Sequence, residues 1–170
     1  MKALSKTAAV AVLTLVAVPL FAQRQIPKAK SSVRLLNKSL GQSVAEAALN
    51  TNRWDYDGSD CSHFVNAIFE AVGLPFRYTN SFDLYDGTET FRRVFHPQPG
   101  DLIVWRGHVG IVVDPDAHSF YSMLRSGLRL SSYTSSYWKA RGKARFLRYA
   151  SRAHMAAQTV RVAGLHDEGQ

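Results

Sequence analysis

The chain has 170 residues, room for one compact domain with tails and too few for two ordinary domains. Hydrophobic residues make up 46% and charged residues 20%, a globular mixture that excludes disordered, collagen-like and coiled-coil classes. Lys and Arg number 21 against 13 Asp and Glu, a formal net charge of +8, and the single cysteine, Cys61, excludes a disulfide framework or a zinc site of several thiolates.

Lys2 and Lys6 precede an apolar run from Ala8 to Ala22 broken by Thr14 and Pro19. A basic stretch ahead of about 7–15 apolar residues reads as an export signal, whereas a spanning helix needs about 20. Residues 1–22 are therefore expected to be a signal peptide or an N-terminal membrane anchor, with the domain exported to the periplasm or the cell exterior. Leu20 stands where a cleavage site prefers a small residue, which keeps the anchor open. Residues 23–39 mix Gln, Lys, Ser and Arg without periodicity and read as a basic linker. Further basic residues gather at Lys139, Arg141, Lys143, Arg145 and Arg148. Export argues against a nucleic-acid partner, so this charge suits a solvated surface or an anionic envelope.

Ser43 and Glu46 have capping-box spacing, which predicts a helix over 44–49. Asp57-Gly58-Ser59 marks a turn. From Asp60 the apolar residues Phe64, Val65, Ile68, Phe69 and Val72 recur at helical spacing, and Gly73 with Pro75 ends that helix. After Pro97-Gln98-Pro99-Gly100 come apolar runs at 102–105, 109–113 and 120–124, with shorter ones at 128–130 and 146–149. Arg106-Gly107 and Asp114-Pro115-Asp116 separate the first three as turns. Helices followed by antiparallel strands predict an α+β domain over 40–150, with 151–170 as a disordered tail.

Cys61 falls in the first turn of the second helix. Backbone N–H groups and the helix dipole there favour an anion, which lowers a thiol pKa and can hold a developing oxyanion. A lone cysteine is most often a small buried hydrophobe. Its place between Asp60 and Ser62, at a helix start in an exported chain, points instead to a nucleophile. A nucleophile needs a base. His154 and His166 lie in the tail, His96 precedes Pro97 in a loop, and His63 is two residues from the thiol on its own helix, where side chains do not face each other. His108 opens an apolar strand and is the expected base. Pairing 109–113 with 120–124 around Pro115 places Ser122 opposite His108 and His118 opposite Val112, about 13 Å along the strand. A one-residue slip would put Met123 there, which can orient nothing. Ser122 is thus the expected orienting residue and His118 the fallback. Trp105, Tyr133 and Trp138 are open between core and cleft wall. The histidines lack the paired spacing of a metal site, so neither metal nor cofactor is expected.

Asp60-Cys61-Ser62-His63-Phe64-Val65, then Pro99-Gly100-Asp101-Leu102-Ile103, then His108-Val109-Gly110-Ile111-Val112, resembles in order and spacing the NlpC/P60 cysteine peptidases, over about Trp54 to Tyr149. The resemblance implies a papain-like α+β fold, with the cysteine at a helix N-terminus packed on an antiparallel sheet of five or six strands. It implies a hydrolase of peptidoglycan stem peptides, cutting between D-glutamate and a diamino acid; the chain is expected to be a monomer. Cys61 then corresponds to the nucleophile, His108 to the base and Ser122 to the third polar position. Asp60 and Ser62 would hold substrate, and Trp54 or Tyr56 would line the site. The chain departs from the family pattern in having His63 where Gly is usual, Ser at the third position, and Arg77-Tyr78-Thr79-Asn80-Ser81 for an Arg-Thr-Ser stretch. An aromatic-Gly-Gly approach to the thiol is replaced by Trp54-Asp55-Tyr56-Asp57-Gly58. Cysteine before histidine disfavours the permuted relatives that act on lipids. An N-acetylmuramoyl-L-alanine amidase and a catalytically silent wall-binding module are the alternative readings.

Overall fold

The structure, a computed structural model, describes residues 33–51 and 60–152. The expected signal or anchor, most of the tail, and Trp54 and Tyr56 lie outside the described residues. Within them the chain runs β1 (Val33–Leu35), α1 (Lys38–Asn50), α2 (Cys61–Ala71), α3 (Ser81–Asp86), β2 (Phe91–Val94), β3 (Leu102–Trp105) and β4 (His108–Asp114). It continues through β5 (Ser119–Leu124), β6 (Gly127–Ser132), α4 (Ser136–Ala140) and β7 (Arg145–Arg152). No helix among the described residues is long and apolar enough to cross a membrane.

Two expectations are corrected at the start of the domain. The helix begins at Lys38 rather than Val44, because Asn37 is the N-cap and accepts the Leu40 N–H at 2.9 Å. Ser43 lies inside α1 with its hydroxyl 3.4 Å from the Ser39 carbonyl, and Glu46 takes the Gln42 amide instead of capping. The buried stripe Gly41, Val44, Ala45, Ala48 carries the helix a turn further upstream than a hydrophobic pattern shows, since glycine carries no apolar signal. Linker residues 33–35 form β1, pairing with Ala150 to Arg152. All three side chains are exposed, so no inward–outward alternation announces the strand.

Among the described residues the sheet is antiparallel and seven-stranded, one or two strands larger than expected. Its path is β6–β5–β4–β3–β7, and β7 also pairs with β2 along Phe146 to Tyr149 and with β1 beyond. Alternation along the strands divides the interior in two. Val104, Val109 and Ile111 pack with Val44, Ala48, Phe64, Val65 and Phe69 of α1 and α2. Ile103, Trp105, Val112 and Phe120 pack with Trp138 of α4. Strand β3 is buried throughout, Leu102 and Val104 in the first cluster, Ile103 and Trp105 in the second. Each such side chain contributes roughly 1.5–3 kcal/mol by leaving water.

The turn before β3 is tied down from two sides. Asp101 is fully buried and accepts two bonds from Arg148, at 2.9 and 2.8 Å, and one from the Gln98 N–H at 2.9 Å. Gly100, at φ +82, and Gly41 let this turn and α1 touch backbone to backbone: a Cβ on Gly41 would stand 2.2 Å from the Pro99 carbonyl oxygen.

Candidate active site

Helix α2 places the thiol. Asp60 is its N-cap, and the carboxylate accepts the Ser62 N–H at 2.8 Å and the His63 N–H at 3.0 Å, so Cys61 is the first helical residue. The His63 ring turns back to the same carboxylate at 3.1 Å and stacks on Tyr78, with centroids 4.2 Å apart. Burial alone would raise the Asp60 carboxyl, but the His63 and Ser62 bonds outweigh it and hold it below its ordinary value. His63 thus serves Asp60 rather than the thiol. Tyr78 is a neighbour that the sequence reading did not single out; stacking on a helix N-terminal side chain leaves no local pattern. Ser62 is buried, and its hydroxyl works against the burial that raises the thiol and the Tyr78 phenol.

Strands β4 and β5 place the imidazole. His108 is 6% exposed and Ser122 fully buried, with Nε2 and Oγ 3.1 Å apart. The partner is the expected one, but the register is not. Ile111 pairs with Tyr121 and Val112 with Phe120, two residues from the expected register, so His108 meets Ser122 diagonally. A slip of two keeps every side chain on its face, so Ser122 still shares a face with His108. Gly110 makes the diagonal possible. A Cβ there would stand 2.5 Å from Phe120 and 2.9 Å from Ser122 Cβ, in the space through which the two strands bring these side chains together. His118 sits in the β4–β5 turn at φ 55, against the Tyr133 ring at 5.3 Å, and Ser122 alone of the two candidates is hydrogen-bonded to His108.

The two groups open into one cleft of about 1070 Å³. It forms at the end of the sheet where the first turn of α2, the β3–β4 turn at Gly107, the β5–β6 turn and α4 converge. Asp60, Cys61, His108, Arg125, Trp138 and Arg141 are among its walls. The Trp138 ring lies against His108, centroids 4.7 Å apart, and is also buried in the core, so it is both core and wall. Trp105 is core; Tyr133 is partly buried, and its hydroxyl donates to the Pro115 carbonyl at 3.1 Å.

Electrostatically, the pair rests neutral. Burial pushes the Cys61 thiol up; the Val109 N–H, the Ser62 side chain and the Cys61 N–H oppose this, while the Asp60 charge adds to it. The helix start was expected to lower this pKa, and here desolvation is the larger effect. Burial, with the Arg141 charge second, pushes His108 down to about 4. Among the described residues no group of three or more His, Cys, Asp or Glu could hold a metal ion.

The NlpC/P60 family model matches residues 38–145, from the start of α1 to the first residue of β7. The chain belongs to the NlpC/P60 family. Members are in general cysteine peptidases or related hydrolases of the cell wall, and they act on peptidoglycan. Comparison with curated proteins gives no match. The match covers Cys61, His108 and Ser122, together with the Asp60 cap and the buried Asp101. Of the remaining candidates, Asp60 lines the cleft and Ser62 is buried beside the thiol.

Proposed function

We propose that this chain is an exported NlpC/P60 endopeptidase that hydrolyses the D-glutamyl–diamino acid bond of peptidoglycan stem peptides, with Cys61 as nucleophile, His108 as base and Ser122 as the residue orienting it. The observation that carries the reading is the Nε2–Oγ contact between His108 and Ser122 in a cleft shared with Cys61. Nε2 donating to Ser122 fixes the tautomer whose Nδ1 lone pair is free to accept the thiol proton.

With both groups neutral at rest, proton transfer accompanies attack rather than preceding it. His108 Nδ1 takes the Cys61 proton as the sulfur bonds to the amide carbonyl carbon. The oxyanion falls to N–H groups at the start of α2, including that of Cys61. The imidazolium returns its proton to the leaving amine, the C–N bond breaks and a thioester remains. Water, deprotonated by His108, then hydrolyses the thioester and restores the thiol. Asp60, held as a carboxylate by its cap bonds, suits a substrate ammonium.

Digestion of purified sacculi, read by mass spectrometry of the released muropeptides, tests this. New free amino termini on the diamino acid are expected, and Cys61→Ala must abolish them. Whole stem peptides freed from glycan would assign an amidase instead. An unchanged digest with retained binding to sacculi would assign a silent wall-binding module.

A further inference from the structure

The cleft beside the thiol is lined by two arginines that neither the fold nor the proposed chemistry uses. Arg125 lies in the tight turn between β5 and β6, is exposed, and forms no ion pair among the described residues. Arg141, at the C-terminal end of α4, is laid over the rings of Trp138 and Tyr137, with the guanidinium carbon 5.4 and 5.9 Å from their centroids. Among the described residues its one side-chain hydrogen bond goes to the Tyr137 hydroxyl at 3.3 Å, and it too has no carboxylate partner there. Trp138 carries His108 at 4.7 Å and Arg141 at 5.4 Å, so the aromatic ring fixes the guanidinium within one side chain of the proposed base. The carboxylate in the same wall, Asp60, is occupied by two backbone N–H groups and His63. Leaving a cation beside an imidazole opposes formation of the imidazolium, so Arg141 works against the base unless an anion arrives with the substrate.

We propose that Arg125 and Arg141 form a carboxylate-binding subsite, which selects amide substrates carrying a free carboxylate next to the scissile bond over the same substrates with that carboxylate amidated. This rests on the peptidase reading of the Cys61–His108 cleft and adds to it a choice between free and amidated stem peptides. A planar guanidinium held on an aromatic face presents paired N–H donors that fit a carboxylate and not a carboxamide. The arriving carboxylate also offsets the Arg141 charge at His108, which makes the base stronger when the right substrate is bound.

The test compares two synthetic stem tripeptides, L-alanyl-γ-D-glutamyl-diamino acid with carboxylates free and the same peptide with them amidated. kcat/KM is measured for the wild-type chain, Arg125→Gln/Arg141→Gln and Arg141→Lys, and binding of both peptides to Cys61→Ala, with and without the arginine changes, is followed by calorimetry. About tenfold preference for the free carboxylates is expected from a charge-assisted bidentate contact. The double variant should bring the ratio to within about twofold, while Arg141→Lys, which keeps the charge, retains part of it. Using the ratio removes any general effect of Arg141 on folding or on His108. Cleavage without preference, or a preference the double variant keeps, overturns the subsite and leaves the peptidase standing. Arginine-dependent preference in binding without any cleavage sustains the subsite and overturns the peptidase. Neither binding nor cleavage of either peptide overturns both.

Discussion

Acid should weaken this domain in part through His108. The unfolded chain binds a proton on His108 near the ordinary imidazole value of 6.5, whereas the folded chain, where burial and Arg141 oppose the charge, does so only at about 4. Between those values the unfolded state holds more protons than the folded state, so stability falls as pH falls. The contribution is intact above 6.5 and gone below 4. A displacement of that size corresponds to about 3 kcal/mol at roughly 1.4 kcal/mol per pH unit. Because His108 is 6% exposed, solvent screening takes little from that figure. The perturbation that isolates it is His108→Gln, which keeps a polar group beside Ser122 and removes the titration. Urea unfolding at pH 7.5, 5.5 and 4 should show the wild-type midpoint dropping further than that of the variant. At an m-value of about 2 kcal/mol per molar, the extra drop is about 1.5 M between the extremes. The carboxylates, Asp101 included, contribute equally to both proteins and cancel. The acid limb of kcat/KM should likewise lie near pH 4 instead of 6.5, and Arg141→Gln should move it upward. Parallel midpoints for wild type and His108→Gln, or a His108 ring resonance titrating between 6 and 7, would refute a buried neutral imidazole.

Three other substitutions probe the frame around that residue. Ser122→Ala leaves His108 Nε2 without its buried partner, which should cost about 1–3 kcal/mol in unfolding free energy and, by releasing the tautomer, lower kcat/KM about tenfold; unaltered kinetics would make Ser122 a packing residue only. Gly110→Ala drives a methyl against Phe120, Ser122 and the Tyr121 carbonyl, none farther than 2.9 Å, and should destabilise by about 3 kcal/mol, the upper end of overpacking costs. Phe120→Leu should rescue it only in part, since the Tyr121 contact is backbone; full rescue would show the strand pair to be less tightly set. Arg148→Leu strands the buried Asp101 carboxylate and should cost about 3–5 kcal/mol by urea unfolding, while Asp101→Asn/Arg148→Leu together should cost less than the sum of the two singles.

The sequence was legible where one physical rule acted alone. Apolar spacing found α2 because Phe64, Val65, Ile68 and Phe69 all face one core, and turn residues bounded β3, β4 and β5. It was illegible where structure rests on exposed or very short segments. β1 shows three exposed side chains, α3 is a six-residue helix started by Asn80, and α4 has five residues with a single buried side chain, Trp138. None of these carries a period long enough to read. The site divides along the same line. His108 and Ser122 could be paired by parity because a sheet face depends on odd and even positions and not on register. The thiol's charge state could not be read from its place at a helix start, because that place fixes the dipole and says nothing about how much water the packed helix excludes. The place of the arginines in the cleft was illegible for a third reason: Arg125 and Arg141 belong to different turns, and only the docking of α4 on the second face of the sheet brings them to one cleft with Cys61. A basic residue read from sequence is a surface charge until the fold shows which surface, and here that surface is the wall beside the imidazole.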